Sequence, residues 1–145
     1  MTHEVTIPGR YDRVIDACKF IVAGAEQVGF DPNELFRIEL ACDEACTNVI
    51  EHAYGGEDKG SIHVSWHFAG GAFTITIVDQ GQYFDPDSVP APNIPSSPAD
   101  LDELRIGGLG IHFMRSLMDE IQFRNDSDQG NQLVMVKYLS KNNRQ

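Results

Sequence analysis

The apolar positions Val14, Cys18, Ile21, Ala25 and Val28 recur at spacings of four, three, four and three, as one buried face of an α-helix requires. Ahead of them lies a short strand-like stretch, Val5-Thr6-Ile7, ended by Pro8-Gly9. Gly29 suits the C-terminal cap of this helix. Asp31-Pro32-Asn33-Glu34 then announces another, with an acceptor at the N-cap, a proline at the first helical position and an acid at the third. The stripe Leu35, Ile38, Cys42, Ala45, Val49 and Ala53 carries this second helix to Tyr54-Gly55-Gly56, where paired glycines can stop it.

The period then drops to two. Ile62, Val64, Trp66 and Phe68 alternate with Ser61, His63, Ser65 and His67, so one face is apolar and the other wet. Gly70-Gly71 supplies a hairpin turn, and Phe73, Ile75 and Ile77 alternate with Thr74 and Thr76 on an antiparallel return. From Asp85 to Arg105 the pattern dissolves among Ser, Asn, Asp and five of the seven prolines, a composition and length that suit a lid of about residues 85–106. Gly107-Gly108-Leu109-Gly110 opens a helix with Phe113, Met114 and Leu117 on one side. Strand-like Glu120 to Arg124, an Asn-Asp-Ser-Asp-Gln-Gly turn and a last strand, Gln132 to Leu139, follow.

Composition narrows the classes. A chain of 145 residues fits one domain, 1–145. Its 11 basic and 22 acidic side chains give a net charge of −11, which repels nucleic-acid phosphates and anionic membrane surfaces. A hydrophobic content of 41% suffices for a packed core. No apolar run is long enough to span a bilayer and the first residues do not read as a signal peptide, so the expected location is cytoplasmic. Cys18, Cys42 and Cys46 are expected as buried thiols, because side chains four apart on a helix sit too far apart for a disulfide.

Candidate chemistry falls at three places. On the second helix, Phe36, Leu40, Glu44, Asn48 and His52 form a row that turns from apolar to polar. A carboxylate and an amide side by side, on a face whose other end is buried, suit a partly desolvated base beside a metal ligand. A solvated helix edge fits the spacing equally well. Asp79 ends a buried strand and Gly81 follows, so a carboxylate stands where a backbone can approach a ligand closely, for instance to accept the amino proton of adenine. The same residues also make an ordinary strand-end turn. Gly107-Gly108-Leu109-Gly110, with Arg105 before it, offers amide groups and a charge to a phosphate, or a glycine-rich hinge. No P-loop motif is present, and His63 and His67 would lie roughly 13 Å apart along a strand, too far to share a metal.

Taken in order, Glu44-x-x-x-Asn48-x-x-x-His52-Ala53-Tyr54, Asp79-x-Gly81-x-x-Phe84-Asp85-Pro86, and Arg105-x-Gly107-Gly108-Leu109-Gly110-Ile111 with Leu117-Met118-Asp119 resemble the anti-sigma-factor serine kinases of the histidine-kinase-like (GHKL) ATPase superfamily. The resemblance implies an α+β fold: a two-layer α/β sandwich of the Bergerat ATP-binding type, with helices on one face of a mixed, largely antiparallel sheet. It implies ATP and Mg²⁺ as cofactors, with Glu44 as general base toward a substrate hydroxyl and Asn48 as the Mg²⁺ ligand. Asp79 would accept from the adenine amino group with Gly81 beside it. Gly107, Gly108, Leu109 and Gly110, helped by Arg105, would meet the phosphates. The implied partners are an anti-anti-sigma (STAS-type) protein and a sigma factor, with no direct nucleic acid and no membrane, and with room for a homodimer. Where the family's last box reads Gly-Thr, this chain has Gly130-Asn131. A nucleotide-gated binding module without kinase activity is the alternative.

Overall fold

The first strand, β1 (His3–Pro8), leads into α1 (Val14–Val28) and α2 (Pro32–Asn48), which runs on without a break into a π-helical turn (Val49–Ala53). The hairpin β2 (Ser61–Ala69) and β3 (Ala72–Asp79) follows, then α3 (Gly110–Leu117) and the strands β4 (Glu120–Asp126) and β5 (Gly130–Tyr138). This computed structural model describes residues 2–83, 110–126 and 128–139. The expected lid at about 85–106, together with Arg105, Gly107, Gly108 and Leu109, lies outside the described residues.

The helices begin and end for local reasons. Gly29 takes a left-handed conformation at φ 115°, so its own N–H and that of Phe30 return to the carbonyl of Ala25 and close α1. Asp31 caps α2, its Oδ1 accepting from the backbone N–H of Glu34 at 2.9 Å. The Glu34 carboxylate, which a capping box would send back to the N-cap, goes instead to Lys137 Nζ at 3.1 Å.

The five strands form one sheet in the order β1-β2-β3-β5-β4, and every described pairing is antiparallel. Helices and sheet together make the α+β architecture. The two-residue turn Gly70-Gly71, both at positive φ, sets Ala69 opposite Ala72 and Phe68 opposite Phe73. That register stacks inward-facing side chains in rows across the sheet: Val64, Ile77, Leu133 and Phe123 in one, Trp66, Ile75, Met135 and Ile121 in the next. Ile21 of α1 and Ile38 of α2 pack against them at 0% exposure. Burying each such side chain is worth roughly 1.5–3 kcal/mol. Cys18, Cys42 and Cys46 are buried and unbridged between the helices; the neighbouring thiols and complete burial push the Cys42 thiol up, leaving it unreactive. No helix among the described residues is long and apolar enough to cross a membrane.

A candidate nucleotide site at the end of the sheet

The core face of the sheet ends in a polar row. Ile62 on β2 is followed across the ladder by Asp79 on β3, Asn131 on β5 and Asn125 on β4. Asp79 is 4% exposed. Its Oδ1 accepts from the backbone N–H of Gly81 at 2.9 Å and from Asn131 Nδ2 at 2.8 Å, whereas its Oδ2 has no partner among the described residues. Burial raises the Asp79 carboxyl above the usual carboxylate range, and the two hydrogen bonds partly oppose that rise.

Close backbone approach explains two glycines here. A Cβ on Gly130, which sits at φ 90°, would lie 2.3 Å from the carbonyl oxygen of Asp79, and one on Gly81 would lie 2.5 Å from that of Ala53. The π-helical turn delivers Ala53 to this position. The N–H of Tyr54 reaches back five residues to the carbonyl of Val49, and the carbonyl of Ala53 is left to accept from Gln82 N at 2.8 Å. The Tyr54 hydroxyl donates to the carbonyl of Ser61 at 2.6 Å and accepts from Gln80 N at 3.0 Å. The helix end thus holds the backbone just after Asp79 and the neighbouring start of β2.

Glu44 and Asn48 stand one turn apart on α2, 1% and 4% exposed. The row to which they belong runs opposite to expectation: Phe36, at its apolar end, is 66% exposed, and the polar end is the buried one. The physical reason is the side to which Phe36 turns: it borders a surface groove between α1 and α2 with Ile15, Lys19 and Leu40. Burial also removes the solvated-edge reading. Asn48 Nδ2 is buried with no hydrogen-bond partner among the described residues, a costly state in a closed protein and an expected one where a ligand completes the shell. No cluster of three or more His, Cys, Asp or Glu among the described residues could hold a metal. A single amide oxygen from Asn48 beside a carboxylate suits Mg²⁺, which commonly keeps its waters and takes its remaining ligands from substrate phosphates.

Asn48, Asp79 and Asn131 line one pocket, whose walls are Ala45, Val49, Ile77, Met114, Phe123 and Leu133. An apolar lining with an acceptor at one end has the chemical character that suits a purine base. Gly110, the last residue of the glycine run, begins α3. The sequence reading missed Asn125 and the bracing by Tyr54. Asn125 and Asn131 continue the inward parity of Ile121-Phe123 and of Leu133-Met135, a signal that becomes readable only once the strand register is known.

An α+β fold with a buried carboxylate and amide on α2, an acidic strand end on β3 and an apolar pocket beside them is the frame in which the comparisons fall. The chain belongs to the histidine kinase-like ATPase domain family, whose family model matches residues 7–137. Within that family its similarities run to protein serine kinases. It is 33% identical over 97% of its length to the serine-protein kinase RsbW of Halalkalibacterium halodurans, covering 85% of that protein. It is 34% identical to the RsbW of Bacillus velezensis and 32% identical to that of Bacillus subtilis, each over 80% of this chain and 72% of the relative. A solved structure, the SiaB-SiaC complex from Pseudomonas aeruginosa, shares the fold with a TM-score of 0.57 at 15% identity, covering 94% of this chain and 89% of that one.

Proposed function

We propose that this protein is an ATP-dependent serine/threonine kinase and anti-sigma factor that phosphorylates an anti-anti-sigma (STAS-type) partner and sequesters a sigma factor. The observation that carries the reading is the buried Glu44 one helical turn from Asn48, whose partnerless amide lines the same pocket as the Asp79 acceptor. The names of the RsbW relatives support the protein serine kinase chemistry. The sigma factor and the STAS-type partner rest on the motif resemblance. The reaction would run in the cytoplasm.

In this reading Asp79 Oδ2 accepts from the adenine amino group while the apolar walls hold the ring. Asn48 would hold Mg²⁺ by its amide oxygen, and the ion when bound neutralises phosphate charge. Gly107, Gly108, Leu109 and Gly110, helped by Arg105, are proposed to meet the phosphates. Glu44 takes the proton from the substrate hydroxyl as its oxygen bonds to the γ-phosphorus and ADP leaves.

The test is mass spectrometry of a cognate STAS-type protein after incubation with this chain and Mg²⁺-ATP. Addition of one phosphate to a serine or threonine is the expected result. Nucleotide-dependent binding without any phosphate would overturn the kinase reading and leave a nucleotide-gated binding module.

A further inference from the structure

Three of the large apolar or aromatic side chains left exposed among the described residues, Tyr11, Ile15 and Phe36 at 46%, 55% and 66%, border one groove between α1 and α2. Val14 and Cys18 are its buried floor, where the Cys18 thiol lies 3.9 Å from the carbonyl oxygen of Glu39 and the two helices touch. Above that contact the walls are ridges of side chains four residues apart: Ile15 and Lys19 on α1, Phe36 with Leu40 and Glu39 with Asp43 on α2. Apolar side chains scattered over a surface are ordinary, whereas three around one groove mark a contact surface. The groove is also acidic. Glu39 and Asp43 lie along the α2 wall, and at the other end the Tyr11 hydroxyl donates to Glu51 at 3.3 Å and the Tyr11 N–H to the Glu57 carboxylate at 2.8 Å. Against these carboxylates stands Lys19, because the arginines ahead of α1 are held by acids of their own, Arg10 by Asp12 and Asp58 and Arg13 by Asp16.

We propose that this groove is a docking surface for a basic amphipathic helix of a protein partner. The reading of the nucleotide site assigns no surface to a partner, so the inference goes beyond it and does not depend on it. A third helix suits the walls, because ridges four residues apart leave a furrow into which the apolar row of another helix packs. The α2 wall from Phe36 to Asp43 is about 10 Å long, enough for two turns of such a helix. Basic side chains beside its apolar row would meet Glu39 and Asp43 along one wall and Glu51 and Glu57 at the Tyr11 end. A second copy of this chain suits the face less well, since it brings the same carboxylates and the same net charge of −11.

Synthetic peptides of about 15 residues, long enough to hold a helix, provide the test. One carries leucine at helical spacing and lysine elsewhere, a second replaces each lysine by glutamate, and a third keeps the lysines but scrambles the order. Calorimetry with the full chain at physiological salt should show binding of the leucine-lysine helix, and binding weaker by about tenfold or more for both controls. Ile15→Ala and Phe36→Ala remove exposed side chains, which spares the fold, and each should weaken binding by about tenfold, the worth of burying a large apolar side chain. Glu39→Lys should weaken it through charge, and Tyr138→Ala, exposed on β5 outside the groove, should change nothing. The proposal is overturned if the leucine-lysine helix does not bind, if the glutamate helix binds equally well, or if Ile15→Ala and Phe36→Ala keep full affinity. A dimer in sedimentation that Phe36→Ala dissociates overturns it as well, and gives the groove to a second copy. Binding is measured without nucleotide, so absence of phosphoryl transfer would leave it untouched, and the kinase reading and the groove fail separately.

Discussion

Asp79 lies buried where the proposed function needs an acceptor, and its burial costs stability at neutral pH. Its carboxyl is raised above its unfolded-state value, so the native state holds its proton more tightly than the unfolded chain does. Stability from this group is therefore full at low pH and is lost as pH rises from the unfolded value through the raised one. Asp79→Asn, which keeps an oxygen for Gly81 and Asn131, should raise the melting temperature at neutral pH, a gain that vanishes in acid. The same change should weaken ATP binding by about ten- to a hundredfold, measured by calorimetry, through loss of a charged acceptor. Glu44→Gln should leave ATP affinity nearly intact while phosphoryl transfer drops by about 10²–10⁴-fold in a single-turnover assay. Both acids could be singled out in the sequence, because each sits where an apolar pattern ends or turns polar. Their burial could not, since the row from Phe36 to His52 does not say which of its ends is covered.

Elements are joined here by a few polar ties. Lys137 points into the core face of β5, 8% exposed, where its Nζ meets the carbonyl of Leu117 at 2.8 Å and the Glu34 carboxylate at 3.1 Å. One ammonium thus links the C-terminus of α3, the first turn of α2 and the sheet. Lys137→Met fills the same space but leaves the Leu117 carbonyl without its donor, and should cost about 1–3 kcal/mol in denaturant unfolding. Gly81→Ala would force a backbone shift against Ala53, and is expected to cost about 1–3 kcal/mol and to damage nucleotide binding further by displacing Asp79. The helices and the hairpin were legible because their apolar periods are unbroken. The π-helical turn was not: Val49 and Ala53 stay on the α-helical stripe whether or not one hydrogen bond lengthens.

For the molecule as a whole, the charge of −11 limits partners more than it limits the fold. In the proposed function amide groups, Arg105 and a metal ion meet the phosphates, and the negative surface would suit a basic protein partner. Association with such a partner should slow steeply as salt rises from low to physiological strength in stopped-flow measurements, and a flat response would exclude electrostatic steering. The fold class was legible through the family resemblance that the three boxes carry. The strand order β1-β2-β3-β5-β4 was not, because nothing in a local pattern says that the last strand inserts between β3 and β4. That insertion has a consequence for the growing chain. The carboxylate of Asp79 meets its partner 52 residues further on. A ribosome that has released α1, α2 and the hairpin carries both acids of the site but no pocket, and the nascent protein becomes responsive to ATP only when β5 has left the exit tunnel.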